Sequence, residues 1–173
     1  MKFMKPLVSI IMGSTSDLKI MEDAAFFFDE MEIPFEINAL SAHRTPEVVA
    51  EFAETAYERG VRVIIAAAGG AAHLPGVCAA STPLPVIGVP INSSNSIKGV
   101  DSLLSIVQMP SGIPVATVGI DNAKNAAILA MQILATDRPE LYEKLVKFKK
   151  DLKNKIIKAN QDLSKLEYKF LVK

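Results

Sequence analysis

Continuous apolar runs alternate with amphipathic segments along most of this chain. The run Leu7 to Met12 is wholly apolar apart from Ser9 and stops at Gly13, as expected of a strand buried on both faces of a sheet. From Leu18 to about Met31, apolar residues then recur at helical spacing, which predicts a helix with a broad apolar face. Phe26 falls on its charged side, which indicates either simple exposure or a subunit contact.

The alternation continues to residue 135 and predicts four further strands and the helices between them. We place a helix that starts at Pro46, with Thr45 as its cap, and ends at Gly60. A polar, mobile loop is predicted over Pro90 to Gly99. Strands that alternate with helices imply parallel pairing and right-handed crossovers. The predicted fold class is therefore α/β, a flavodoxin-like three-layer sandwich with a five-stranded parallel sheet. The further strands are Phe35 to Leu40, Val61 to Ala67, Val86 to Val89 and Val115 to Ile120, and the further helices are a short one carrying Cys78, Asp101 to Gln108 and Asn122 to Ala135.

After residue 136 the pattern changes to one long amphipathic helix. Asp137 and Glu140 form an Asp-x-x-Glu pattern that predicts a capped helix start. Lysines cover most of the remaining surface, which is more typical of a solvated face than of a binding patch. We expect one domain over 1–173, with an α/β core at about 7–135 and an extended C-terminal helical arm at about 137–173 that makes subunit contacts. The apolar stripe of the arm consists of Leu141, Leu145, Phe148, Leu152 and Ile156.

Composition narrows the function classes. The 19 basic and 19 acidic residues cancel, so the chain lacks the basic field typical of nucleic-acid binders. Cys78 is the single cysteine, which excludes an intrachain disulfide and fits a reducing, cytoplasmic location. The longest apolar region, Val61 to Ala72, is broken by Arg62 and two glycines and is too short to span a bilayer. We expect no nucleic-acid partner, no membrane partner and no metal site.

The loops after the first three strands have the most unusual composition. They are Gly13 to Asp17, Ser41 to Pro46, and Gly69 to Gly76. Ligands of open parallel sheets bind beyond the carboxyl ends of the strands, where loops of neighbouring strands meet. We therefore predict that these three loops converge on a ligand site.

The first loop offers groups that suit an anion and a sugar. Ser14 and Ser16 bring hydroxyls to a helix N-terminus, whose free amides favour negative charge. Asp17 can accept hydrogen bonds from sugar hydroxyls. A capped helix start without any ligand explains these residues equally well, and the Lys-Ser/Thr ending of a Walker loop is missing.

The other two loops contain both histidines of the chain. Arg44 suits a phosphate through two oxygens, and His43 suits proton transfer near neutral pH. A surface ion pair for Arg44 and a packed ring for His43 are the alternatives. The third loop consists mostly of small or apolar residues, so its backbone can approach a flat ligand; these residues are Gly69, Gly70, Ala71, Ala72 and Leu74. His73 in the same loop is a ligand contact, a helix-start residue or a packed ring. Together the loops indicate a small ligand that carries a phosphate and a sugar.

Four segments resemble the signatures of the N5-carboxyaminoimidazole ribonucleotide mutases, also called the catalytic subunits of phosphoribosylaminoimidazole carboxylase. The resemblance runs in order from about Leu7 to Ala135. Residues 92–98 do not match closely and are expected to form part of a lid over the site, and the tail from about 160 exceeds the expected length. The segments are Met-Gly-Ser-Thr-Ser-Asp (12–17), Ser-Ala-His-Arg-Thr-Pro (41–46), Ala-Gly-Gly-Ala-Ala-His-Leu-Pro-Gly (68–76) and Gly-Val-Asp-Ser-Leu-Leu-Ser-Ile-Val-Gln-Met-Pro-Ser-Gly-Ile-Pro-Val (99–115).

The resemblance implies an isomerase of de novo purine biosynthesis that works without a cofactor. It would move a carboxyl group from the exocyclic nitrogen to carbon 4 of a nucleotide substrate, within a homo-octamer whose active sites lie between subunits. It implies that His43 is the general acid and base, that Ser14 and Asp17 contact the ribose-phosphate, and that Ser41 and Arg44 hold the phosphate. The backbone from Gly69 to Leu74 would enclose the carboxyl and the imidazole.

Two rival functions differ from this one in identifiable residues. A related class of enzymes carboxylates aminoimidazole ribonucleotide directly. Its members resemble this chain but have Lys at the position of Arg44 and a less uniform third loop. Arg44 and the Gly-Gly-Ala-Ala-His-Leu run therefore favour the mutase. A non-catalytic module for flavin, for cobalamin or for signalling is the rival from another class. The three loops carry no aromatic residues, no Asp-x-His-x-x-Gly sequence and no acidic cluster at Gly13 or Gly69, so they disfavour it.

Overall fold

A computed structural model describes residues 4–172 and confirms the α/β class. The strands pair in parallel in the order β2-β1-β3-β4-β5, with helices on both faces of the sheet. This is the flavodoxin order, in which the direction of winding reverses beside β1. The strands are β1 (Val8–Met12), β2 (Phe35–Ala39), β3 (Val63–Gly69), β4 (Val86–Ile91) and β5 (Ala116–Thr117), and the helices are α1 (Leu18–Met31), α2 (Pro46–Glu54), α3 (Ala56–Arg59), α4 (Leu74–Ser81), α5 (Val100–Val107), α6 (Ala123–Ala135) and α7 (Pro139–Leu163).

The three central strands form the buried base of the site. All residues of β1 and β4 are buried, as their apolar runs predict. On one face of the sheet, Ile11, Ile64 and Ala66 pack with Val49 of α2 and Cys78 of α4. Each fully buried aliphatic side chain of this kind contributes about 1.5–3 kcal/mol. The carboxyl ends of the strands are therefore held on a rigid platform.

The helix predicted to run from Pro46 to Gly60 is interrupted at one residue. Thr55 separates α2 from α3, and its hydroxyl donates to the carbonyl of Glu51 at 2.8 Å. Such a bond from a threonine competes with the regular helix ladder and bends the backbone. Gly60 ends α3 with a φ of +110°, as predicted.

The fifth strand is much shorter than the predicted Val115 to Ile120. Only Ala116–Thr117 pair regularly with β4. Beyond them, Val118 N donates to Gly88 O at 3.2 Å and Asp121 N donates to Pro90 O at 2.9 Å, so the chain still follows β4. Asp121 has a φ of +56°, which ends any extended ladder there.

The chain divides into two compact units, one up to Leu134 and the other from Ala135 onward. In the second unit, α7 begins at Pro139 with Arg138 as its N-cap and no side-chain capping bond. The capping prediction for Asp137 is therefore wrong, because proline takes the first helical position and shifts the cap by one residue. Residues 149–172 of this unit are exposed. No helix within 4–172 has the length and apolar character to cross a bilayer.

A half-buried ion pair ties β2 to α3. Arg59 Nη2 lies 3.0 Å from Glu36 Oε1, which also accepts a bond from the buried hydroxyl of Ser9 on β1. The same guanidinium donates to Thr55 Oγ1 at 2.6 Å and lies 4.2 Å from the centre of the Phe52 ring. These bonds fix the edge strand next to the second loop of the predicted site.

Arg59→Ala should lower the free energy of unfolding by about 1–3 kcal/mol, because it leaves a partly buried carboxylate without its cation. Arg62→Ala is the matched control, since within residues 4–172 Arg62 contacts two carbonyl oxygens and the Tyr57 ring but no carboxylate. Urea unfolding of both variants measures the difference. A loss for Arg59→Ala no larger than that for Arg62→Ala would show that the ion pair contributes nothing of its own.

Candidate active site

A cleft of about 520 Å³ opens at the carboxyl edge of the sheet, beyond β1, β2, β3 and β4. The three loops predicted to converge all contribute to it, and a fourth loop joins them. Its lining comprises Gly13, Ser14, Ser16, Asp17, Ser41, Ala42, His43, Arg44, Ala68, Gly69, Ala72, His73, Leu74, Ser93, Ser94 and Asn95.

The first loop is both a helix cap and a wall of the cleft. Ser14 Oγ accepts from Ser16 N at 3.3 Å and caps a single 3-10 turn that leads into α1. Ser16 Oγ donates to Asp17 Oδ1 at 3.1 Å. Burial raises the pKa of the Asp17 carboxyl above its ordinary value, the nearby charge of Asp121 adds to this, and the Ser16 bond opposes it. The same residues thus form the helix cap and one wall of the cleft.

The second loop is closed on itself and holds Arg44 at the cleft. Thr45 N donates to Ser41 O at 2.8 Å, and Thr45 Oγ1 bonds the same residue instead of capping α2. Arg44 donates through N and Nε to Ser41 Oγ, both at 3.3 Å, and through Nη2 to Gly13 O at 3.2 Å. Its partners within residues 4–172 are thus a hydroxyl and a carbonyl, and the guanidinium keeps its positive charge for a ligand.

The two histidines meet across the cleft. His43 Nε2 lies 2.7 Å from His73 Nδ1, and the ring planes cross at 87° with centres 4.9 Å apart. In this hydrogen bond one of the facing nitrogens donates and the other accepts, so the tautomer of one ring sets the role of the other. Both rings are exposed, so neither is a packed core histidine. A bound substrate would meet a pair of imidazoles at this position.

The third loop is only partly in the lining. Gly69, His73 and Leu74 line the cleft as predicted. Gly70, in contrast, is buried with a φ of +59°, and Ala71 turns away so that its carbonyl accepts from Ser105 Oγ of α5. Lining the cleft does not test binding, so the substrate-binding roles assigned to this loop stay predictions for all of its residues, and Gly70 and Ala71 lie outside the lining.

The fourth loop, after β4, contributes residues that sequence reasoning did not identify. Ser93, Ser94 and Asn95 line the cleft, whereas the sequence predicts only a polar, mobile segment and part of a lid there, with no site residue. A Cβ at Gly69 would collide with Ser93 Oγ, so the glycine is needed for the two loops to approach. The usable signal was its place after β4, since every strand of the sheet ends at the same edge.

Comparison with known proteins identifies the family of this chain. The family model of AIR carboxylase matches residues 7–155. The chain belongs to the AIR carboxylase family. It is 63% identical over 156 residues to an N5-carboxyaminoimidazole ribonucleotide mutase of Pyrococcus horikoshii. The aligned region covers 90% of this chain and 88% of that protein. A phosphoribosylaminoimidazole carboxylase of Schizosaccharomyces pombe is 55% identical over 164 residues, covering 95% of this chain and 30% of that one.

A solved structure extends the likeness to three dimensions. The crystal structure of Treponema denticola PurE matches with a TM-score of 0.78 at 31% identity and covers 91% of this chain and 98% of that one. All four cleft loops of this member of the AIR carboxylase family fall inside the family match, whereas residues 156–173 fall outside it. The predicted family and fold are therefore confirmed.

The buried carboxyl of Asp17 should make stability depend on pH in this family member. Because its pKa is raised in the folded state, ionisation costs folding free energy at neutral pH. Asp17→Asn removes that cost and should raise the melting temperature at pH 7. The gain should shrink as pH falls through the raised pKa, and vanish below the ordinary value of 3.8, where the carboxyl is protonated in both states.

Thermal unfolding from pH 3.5 to pH 8 measures this difference. Asp23→Asn, which removes an exposed carboxylate from α1, is the matched control for loss of one negative charge. An Asp17→Asn protein that melts below the wild type at pH 7, or whose advantage grows on acidification, would contradict the cost assigned to Asp17.

Proposed function

We propose that this protein converts N5-carboxyaminoimidazole ribonucleotide to 4-carboxyaminoimidazole ribonucleotide, as an isomerase of de novo purine biosynthesis. The relatives named as mutases support this reaction. The structural observation that carries it is the cleft itself, which places an arginine and a capped helix start beside a pair of imidazoles. A phosphorylated substrate can be held at one end while protons move at the other.

The phosphate end is formed by the first two loops. Arg44 is held by Ser41 and by the carbonyl of Gly13, so its guanidinium is already oriented toward the cleft. In the proposed complex it grips the phosphate through two oxygens, and the hydroxyls of Ser14 and Ser41 add hydrogen bonds. At the ribose, Asp17 accepts hydrogen bonds from the sugar hydroxyls and Ser16 donates one through its own hydroxyl.

His43 acts as the general acid in the first half of the reaction. It donates a proton to the exocyclic nitrogen, the bond between nitrogen and the carboxyl carbon breaks, and the electron pair stays on nitrogen. Carbon dioxide and neutral aminoimidazole ribonucleotide result. The imidazole of His73, 2.7 Å away, orients the His43 ring for this transfer.

His43 acts as the general base in the second half. Carbon 4 of the electron-rich ring attacks carbon dioxide, and His43 removes the proton left on that carbon, so the enzyme returns to its starting state. The ring of the substrate supplies the nucleophile, and no cofactor is required by this chemistry. Apolar groups of Ala68, Ala72 and Leu74 line the same cleft and form a dry wall that retains the gas.

Direct carboxylation of aminoimidazole ribonucleotide is the second candidate, because the Schizosaccharomyces pombe relative is named a carboxylase. The arginine at position 44 and the Gly-Gly-Ala-Ala-His-Leu run favour the mutase. Product formation should be measured separately from N5-carboxyaminoimidazole ribonucleotide and from aminoimidazole ribonucleotide with bicarbonate. A mutase uses the first far more efficiently, a carboxylase the second, and a protein that uses neither is a binding module.

We further propose a cytoplasmic homo-octamer, in which residues 137–173 form an arm that contacts neighbouring subunits. Exposed apolar side chains support an assembly. Phe26 on α1 is 65% exposed, and Ile156 on α7 is 69% exposed. Residues 149–172 are exposed, and a helix that buries little of its surface gains little from packing and needs a partner surface to be stable. Light scattering of the purified protein tests the octamer.

His43→Asn should lower kcat by about 10²-fold or more, because asparagine cannot exchange a proton with the substrate. The fold should be unchanged, since the His43 ring is exposed. Initial rates and circular dichroism measure the two effects. Glu47→Gln, at an exposed position just after the same loop, is the control and should leave the rate unchanged. A clearly active His43→Asn protein would remove His43 from the mechanism.

A further inference from the structure

The loop after β4, residues 92–99, closes one side of the cleft with neutral polar groups. We call it the β4 loop. Ser93, Ser94 and Asn95 of this loop face the same cavity as His73 and Arg44. None of the roles derived above for substrate binding or proton transfer uses these three residues.

Both ends of the β4 loop are anchored by carboxylates. Asn92 N donates to Asp121 Oδ1 at 2.9 Å, which fixes the start of the loop. Ser96 Oγ and Ile97 N donate to Asp101 Oδ1 at 2.7 and 3.0 Å, which fixes its end. The loop therefore presents its middle residues to the cleft in a defined position, and its side chains are pre-organised for a ligand.

Asn95 lies against the backbone of the third loop. Gly70 has a left-handed φ, and a Cβ there would come within 2.9 Å of Asn95 Nδ2. Ser93 Oγ donates to Asn95 Oδ1 at 2.7 Å, which fixes the orientation of the carboxamide. Within residues 4–172 no hydrogen bond uses its Nδ2 hydrogens, so two donors remain for a ligand.

The sheet order sets the distance between Asn95 and the phosphate end. The first loop, which contains Ser14, follows β1; the third loop follows β3, and the β4 loop follows β4. Two strand spacings, about 10 Å, therefore separate the first and last of these loops. A nucleotide bound with its phosphate at Ser14 and Arg44 would extend past His73 and bring its base to the β4 loop. The substrate of the proposed reaction carries its second anion, the carboxylate, at that end.

We propose that Asn95 is a specificity-determining residue whose carboxamide donates hydrogen bonds to the migrating carboxylate. It distinguishes a carboxylated aminoimidazole nucleotide from the decarboxylated one. This assignment rests on the proposed function, because it takes its ligand from that reaction.

The chemistry explains why a neutral donor suits this position. Among the lining residues, the permanent cation is Arg44, at the phosphate end. A lysine or arginine at the carboxylate would stabilise the bound substrate more than the transition state, in which the carboxylate is losing its charge to become carbon dioxide. A neutral amide orients the group and stabilises the charged ground state less.

Calorimetric titration of the intact assembly with two nucleotides tests the assignment. The ligands are 4-carboxyaminoimidazole ribonucleotide and aminoimidazole ribonucleotide, which differ only in the carboxylate. Asn95→Ala should weaken binding of the first about tenfold or more, as for loss of a hydrogen bond to a charged group, and leave binding of the second unchanged. Asn95→Asp should weaken the first still further, because it places a carboxylate against a carboxylate. Asn92→Ala, in the same loop but outside the lining, should bind both like the wild type.

The aspartate variant separates ligand binding from loop support. It keeps the oxygen that accepts from Ser93 Oγ, so the loop stays closed. If Asn95→Asp binds the carboxylated ligand as the wild type does, or if Asn95→Ala weakens both ligands equally, the side chain only supports the loop and the assignment is overturned. A wild-type protein that binds neither nucleotide would overturn the proposed function, and the assignment with it.

Discussion

The parallel register of β1 with its two neighbours determines where the groups of the first three cleft loops lie. Met12, the last residue of β1, pairs with Ala39 of β2 and with Ala67 of β3. Two bonds extend this register past the strand ends, from Leu40 N to Met12 O at 2.9 Å and from Gly13 N to Ala67 O at 3.3 Å. The chain consequently leaves three adjacent strands at nearly the same level, and the loops that follow them have to meet.

The contact between the two histidines follows from this register. His43 and His73 are 30 residues apart in the chain, and each follows a different neighbour of β1. Their nitrogens come within hydrogen-bonding distance because the strands below them end together. Arg44 reaches back to Gly13 O for the same reason. Small residues, among them Gly69, Ala68 and Ala72, line the cleft beside the imidazoles and leave space for a flat ring.

The elements that were predictable from sequence are those that depend on local pattern. The apolar runs of β1 and β4 identified buried strands, Gly60 identified a helix end, and the carboxyl-edge rule brought together three of the four cleft loops. What could not be predicted depends on partners distant in sequence. The β4 loop is anchored because Asn92 N bonds to Asp121 and Ser96 Oγ and Ile97 N bond to Asp101. The sequence does not show these bonds, so it predicts a mobile segment. The direction of Ala71 likewise depends on Ser105 of α5.

The central claim is that the carboxyl group moves between two atoms of one bound nucleotide without leaving the cleft. The most direct measurement follows a carbon-13 label from the carboxyl of N5-carboxyaminoimidazole ribonucleotide into the carbon-4 carboxylate, in unlabelled bicarbonate. The account predicts that the label is retained in the product, because the apolar wall and the closed loops hold carbon dioxide beside carbon 4. Rapid product formation with the label fully diluted into bicarbonate would contradict it and identify a direct carboxylase.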